Sequence, residues 1–247
     1  MINNDISINV SELIKLSNKF IHYQVRYKAA IRKVRTYLQI LNDEFNISHK
    51  RNPIHHMQSR IKSPLSILEK LQRKGYEINI DSAINNLTDI AGVRIVCSYL
   101  DDVYKIAALL KKEPTFDVKV ERDYIKTPKP NGYRSLHYII NVPVVIEEEQ
   151  LYVPVELQIR TIAMDFWASL EHRIRYKNSN KNVPKKLETE LVKAADDIAK
   201  LDKKMQELYD QTVKLYPESN EYDAQYDLIQ PLIEKDEDNE LFFPINK

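Results

Sequence analysis

Glycine occurs only three times in 247 residues, at Gly75, Gly92 and Gly132, and this scarcity constrains the chain more than any other feature. Glycine serves where the backbone needs positive φ or where something must approach it closely, so each of the three marks a special place. Gly132 stands in Asn131-Gly-Tyr-Arg-Ser-Leu-His137, beside an aromatic ring, a guanidinium and an imidazole. Gly92 stands in Asp89-Ile-Ala-Gly-Val-Arg94, between a carboxylate and an arginine. A third polar segment, Glu156-Leu-Gln-Ile-Arg160, follows the first after a short apolar strand pair. Acids, bases and a stacking ring set into an apolar β pattern are what a site for a purine nucleotide and its phosphates requires.

The bulk numbers narrow the class. At 43% hydrophobic the chain buries a substantial core, as a compact domain with helical extensions. With 37 basic and 36 acidic residues the net charge is +1, so no long-range field steers the molecule to nucleic acid or membrane and any attraction for phosphate is local. The single Cys97 excludes an intramolecular disulfide framework and a thiolate zinc cluster. Met1 leads into Asn, Asp and Ser, and no segment approaches the roughly 20 apolar residues of a membrane span, so a cytoplasmic protein is expected.

Periodicity predicts a helix from about Val10 to Phe45, with Ile31, Val34, Leu38, Leu41 and Phe45 on one stripe and Asn9 or Ser11 at its start. His49 to Pro53 breaks it. A second helix begins after Pro64, turns Ile67, Leu68 and Leu71 inward and closes at Gly75. Strands are predicted at Ile90 to Tyr99 and Val118 to Tyr124, with a helix over Asp101 to Lys112 between them. Leu136 to Ile146 and Leu151 to Arg160 form an antiparallel hairpin across Glu147 to Gln150. Trp167, Leu170 and Ile174 read as the core side of a further helix. The expected fold class is α/β (α+β), a mixed β-sheet flanked by helices. From Pro184, Leu187, Leu191, Ala194, Ile198, Leu201, Met205, Leu208, Thr212 and Leu215 form a heptad seam, to be buried on the N-terminal helix, on another subunit, or on both. The tail from Glu218 is acidic and Tyr-rich.

Alternation along the last strand turns Val155, Leu157 and Ile159 to the core and leaves Glu156, Gln158 and Arg160 as a polar row on the other face. Such a row is either a site or an exposed cross-strand pair. Asp89 enters a buried strand, where a carboxylate needs a cation or a metal, and Arg94 is the simplest partner. Ser66, Lys70 and Arg73 share one helix face, with Arg60 and Lys62 just ahead of the helix start, an arrangement suited to an oligophosphate or to solvent. If Asp89 and Glu156 face each other, they supply two hard oxygen ligands for Mg²⁺, and one of them a general base, for phosphoryl transfer. Arg122, Lys126, Lys129, Arg134 and His137 then form an acceptor phosphate pocket, with Tyr133 as stacking face or as ordinary core aromatic. His55-His56 reads as a surface pair.

These residues, with Arg60-x-Lys62, Arg122-Asp-Tyr-Ile125, Glu156-Leu-Gln-Ile-Arg-Thr161 and Trp167-Ala-x-x-Glu171-His, resemble the synthetase domain of the RelA/SpoT family, over about residues 50 to 180. A chain this short resembles the small alarmone synthetases, the RelP type more than the RelQ type. The resemblance implies a nucleotidyltransferase-like synthetase domain over 51–180, between an N-terminal helical region (1–50) and a C-terminal helix (181–217) followed by the tail (218–247). It implies Mg²⁺-dependent transfer of the β,γ-pyrophosphate of ATP to the ribose 3′-hydroxyl of GDP or GTP, by a homotetramer. Arg60, Lys62, Ser66, Lys70, Arg73 and Arg94 would hold ATP, with adenine stacked on arginines. Asp89 would bind Mg²⁺, and Glu156 would share it or activate the hydroxyl. Tyr133 would stack guanine, Arg122, Lys129, Arg134 and His137 would meet acceptor phosphates, and Gln158, Asp165 and Glu171 would position the acceptor nucleoside. Two other classes stay open: a nucleotidyltransferase adding a nucleotide to an acceptor, and a nucleotide- or RNA-binding module, which the near-zero net charge does not favour.

Overall fold

The computed structural model describes residues 10–48, 51–176 and 184–216, so the expected acidic tail and Asn9 lie outside the described residues. Helix α1 (Val10–Ser48) carries the predicted stripe, and Ile31, Val34, Leu38, Leu41 and Phe45 are all buried. Its apolar face lies across the central strands and belongs to the same core as the sheet. A single residue of that stripe cut to alanine, such as Leu38, would cost about 2–5 kcal/mol.

Strand β1 (Ile54–Ile61) was not anticipated. It is an edge strand with a mostly wet surface, so its polar residues mask the two-residue period, and only pairing with β2 (Ala91–Cys97) makes it a strand. Between them, α2 (Pro64–Lys74) matches its sequence signals. The Ser63 hydroxyl accepts the Ser66 amide, Pro64 sits in the first turn, Ile67, Leu68 and Leu71 are buried, and Gly75 ends the helix at φ 69. The short α3 (Ile80–Asn86), capped by Asn79, was also not anticipated.

Helix α4 (Leu100–Lys112) and strands β3 (Asp117–Asp123), β4 (Leu136–Ile146) and β5 (Glu149–Thr161) follow, then α5 (Ile162–Tyr176) and α6 (Lys185–Leu215). The sheet runs β1-β2-β5-β4-β3, with β2 parallel to β5 and every other pair antiparallel. The β4–β5 turn is tighter than expected: Ile146 pairs Glu149, leaving only Glu147 and Glu148, at φ 51 and 66.

Register fixes two faces. Ala91, Val93, Ile95, Val155, Leu157 and Ile159 are buried on the core face. On the opposite face Arg60 pairs Gly92, Gly92 pairs Glu156, Arg94 pairs Gln158 and Gln158 pairs His137, so the predicted polar row crosses four strands. Helix α5 packs against β2 and β5, and α6 packs against α5.

Two packing expectations are corrected. Among the described residues α6 packs mainly on α4 and α5, not on the N-terminal helix, and the side it buries carries Ala195, Asp202 and Gln206. Leu201, Met205, Leu208 and Leu215 stay exposed. The buried side is chosen by specific bonds: Thr161 Oγ1 donates to Asp202 at 2.6 Å, and the Asp101 amide to Gln206 at 3.0 Å. Those polar anchors do not appear in a hydrophobic period. Leu170 is likewise exposed, whereas Trp167 is buried and donates to the Leu191 carbonyl at 3.1 Å.

Candidate active site

Asp89 precedes β2, and Glu156 lies on the neighbouring β5 beside Gly92. This brings both carboxylates to one cavity of about 80 Å³, shared with Gln58, Ser59, Arg60, Gly92, Arg94 and Gln158. They are close enough for the charge of Asp89 to act on Glu156. Gln58 and Ser59 were missed with their strand; recognising β1 as a strand would have put them on the same face as Arg60 or beside it.

Asp89 is held by two lysines, Lys62 Nζ at 2.5 Å and Lys70 Nζ at 2.6 Å from Oδ2. Burial pushes its carboxyl up, but the two ammonium groups outweigh this and leave it below the ordinary carboxylate range. Its Oδ1 is buried with no hydrogen-bond partner. The predicted Asp89–Arg94 pair is not formed. Arg94 Nη1 lies 3.3 Å from Asp165 Oδ1 instead, because β2 alternation turns Arg94 toward α5 while Asp89 meets the loop and helix that carry the lysines. Ser66 accepts the Ser63 hydroxyl at 3.0 Å, and the exposed Arg73 lies in the last turn of α2; neither lines the cavity.

Beyond Glu156 the polar row closes into a ring of side chains. Gln158 Nε2 donates to Glu156 Oε2 at 2.8 Å, and Arg160 Nη2 donates to Gln158 Oε1. Arg160 also donates to the Tyr133 hydroxyl at 3.0 Å, which is 2.9 Å from His137 Nε2. His137 Nδ1 returns to Glu156 Oε1 at 3.5 Å. One proton assignment satisfies this circuit: tyrosine donates to Nε2, and Nδ1–H faces the carboxylate of a neutral imidazole. Burial, the largest influence, pushes His137 below its ordinary value despite Glu156, in agreement with that assignment. Burial raises Glu156, while His137 and the Gln158 amide lower it further, so it is ionised at neutral pH.

Around the ring stands an aromatic and cationic wall. Tyr124, Tyr133 and His137 contact one another edge to face. Lys129 Nζ lies 4.5 Å from the Tyr124 centroid and 4.8 Å from that of Tyr133, its ammonium pushed below the ordinary value by burial. Arg122, exposed on β3, pairs across from His137. Glu171, on α5, accepts from Asn131 at 3.1 Å and so touches the loop that carries Tyr133.

Arg134 is bonded toward α6 rather than to the rings of this wall. Its guanidinium donates to the Gly132 and Ala195 carbonyls at 3.0 and 3.3 Å and pairs with Asp196 at 2.8 Å. Gly132, at φ 89, makes room for α6: a Cβ there would lie 2.6 Å from that of Ala195. What approaches this glycine is the protein's own helix. Asp165 lies 3.3 and 3.4 Å from Arg94 and Arg160, a single carboxylate shared by two neighbouring cations.

Residues 59–181 match the family described as "Region found in RelA / SpoT proteins". The chain is 50% identical over 179 residues to GTP pyrophosphokinase YwaC of Bacillus subtilis (strain 168), covering 72% of this chain and 85% of that relative. Its fold is similar to the crystal structure of small alarmone synthetase 2 from Bacillus subtilis, with TM-score 0.70 and 45% identity, over 78% of this chain and 98% of that one. It is also similar to the crystal structure of small alarmone synthetase 1 from the same organism bound to its product pppGpp, with TM-score 0.73 and 34% identity, over 78% of this chain and 97% of that one.

Proposed function

This chain belongs to the RelA/SpoT family, and from that premise we propose that it transfers the β,γ-pyrophosphate of ATP to the ribose 3′-hydroxyl of GDP or GTP, giving ppGpp or pppGpp and AMP. The observation that carries this reading is one cavity walled by Asp89 and Glu156, with cationic residues on both sides. Phosphoryl transfer depends mainly on positioning and charge neutralisation, which such an arrangement supplies. The names of the relatives, and pppGpp as the product of small alarmone synthetase 1, support the same conclusion.

Arg60 and Arg94 flank the donor base, and Lys62 and Lys70 take its phosphates, with Ser66 and Arg73 further along the same helix face. Tyr133 stacks the guanine, and Arg122, Lys129 and His137 meet the acceptor phosphates; Gln158 and Glu171 position the nucleoside. Glu156 accepts the 3′-hydroxyl proton as that oxygen forms its bond to the β-phosphorus. The bond from that phosphorus to the α–β bridging oxygen breaks, and its electron pair leaves on AMP.

The residues present fit Mg²⁺. Asp89 Oδ1 is buried and unpartnered, and Glu156 lines the same cavity. These two carboxylates would hold the ion, with water and phosphate as its remaining ligands, as this hard cation prefers. When bound it neutralises charge on the transferred group.

We read the protein as a cytoplasmic homotetramer, by likeness to the small synthetases. The exposed apolar ridge Leu201, Met205, Leu208 and Leu215 supports self-association, and no helix among the described residues is long and apolar enough to cross a membrane. Incubation with ATP, GTP and Mg²⁺ should release AMP together with a guanosine nucleotide bearing two added phosphates. Release of pyrophosphate instead would identify a nucleotidyltransferase and overturn the reading.

A further inference from the structure

Gly75 and Gly132 have positive φ, and glycine explains itself at both. Gly92 does not. It lies within β2 outside the left-handed region, where any residue is allowed. A Cβ there would meet Glu156 O at 3.8 Å, Arg60 Cγ at 3.9 Å and Arg60 O at 4.0 Å, all ordinary contacts. Neither backbone nor packing requires glycine, and inside a strand it weakens the structure.

What distinguishes the position is its surroundings. Gly92 lies on the cavity face, paired with Arg60 on one side and Glu156 on the other, and Arg94 follows two residues along the same face. A side chain would rise from the floor into the space between the two arginines and the catalytic carboxylate. We propose that Gly92 is a specificity-determining residue whose missing side chain keeps room for the donor nucleotide, an inference that rests on the assignment of this cavity to ATP.

The test uses the full chain and the variants Gly92→Ala and Gly92→Val, titrated with a non-hydrolysable ATP analogue and, separately, with GDP, alongside thermal melts. Side chains forced into a filled space weaken analogue binding by roughly 5- to 150-fold, more for Val than for Ala. GDP affinity stays as in the parent. The melting temperature rises, by roughly 2–4 °C for Val, because a β-branched residue replaces a strand glycine. Opposite movement of ATP affinity and stability is the signature of a position kept open for ligand. Unchanged analogue affinity in Gly92→Val, or parallel loss of stability, GDP binding and analogue binding, overturns the inference while leaving the proposed reaction intact. Failure of the parent protein to bind the analogue overturns both.

Discussion

His137 Nδ1 lies 3.5 Å from Glu156 Oε1, and burial holds the imidazole neutral beside the ionised carboxylate. Because the folded value of His137 is below its ordinary value of about 6.5, the unfolded chain binds the proton first as pH falls. Its stability contribution is complete above about pH 6.5 and declines as pH falls through that value toward the folded one. Asp89 and Glu156, both lowered, add contributions that are lost only below the ordinary carboxylate range. The melting temperature should therefore hold steady above about pH 6.5 and fall on acidification below it, and His137→Gln should flatten the fall that begins there. A melting temperature that rises on acidification below that value would contradict the neutral imidazole.

The two carboxylates should matter for turnover far more than for folding. Asp89→Asn and Glu156→Gln are each expected to lower kcat by roughly 100-fold or more, as loss of a general base or of a ligand for the neutralising ion does. Circular dichroism should stay near that of the parent, and melting should drop only by what the lost ion pairs and hydrogen bonds contribute. Single-turnover release of AMP measures the effect, and a variant that keeps parental rates removes its residue from the chemistry.

Gly132 and Ala195 should be thermodynamically coupled. Gly132→Ala puts a Cβ in the left-handed region and 2.6 Å from the Ala195 Cβ, at a cost of about 2–5 kcal/mol from both effects. Ala195→Gly removes the clash but not the backbone strain. The double variant should regain about 1–3 kcal/mol relative to additivity in denaturant titrations. Strict additivity would mean that loop and helix do not meet as described.

The β4–β5 turn is open to improvement. Glu147 and Glu148 both occupy the left-handed region, which suits Asn-Gly. Replacing the pair by Asn-Gly should raise the melting temperature by roughly 2–4 °C for each kcal/mol of strain removed. Specific activity should not change, since the turn lies at the end of the hairpin away from Glu156. A fall in stability would show that the glutamates make favourable contacts that outweigh the strain.

Much of this architecture was legible in local pattern. The α1 stripe, the caps of α2, the buried β2 and the alternation that sets Glu156, Gln158 and Arg160 on one face all follow from residues within a few positions of one another, so the chain states them by itself. The inventory of the site was legible for the same reason, because acids, bases and tyrosine stand out against apolar strands. Only the tertiary structure decided that Ile54–Ile61 is a strand, since an edge acquires its identity from β2. It also decided that Asp89 meets Lys62 and Lys70 rather than Arg94, that Arg134 ties Gly132 to α6, and that the α6 ridge faces outward. Each is a contact between residues distant in the chain, such as Arg134 and Asp196, selected by distance and desolvation in the folded molecule; periodicity carries no record of it.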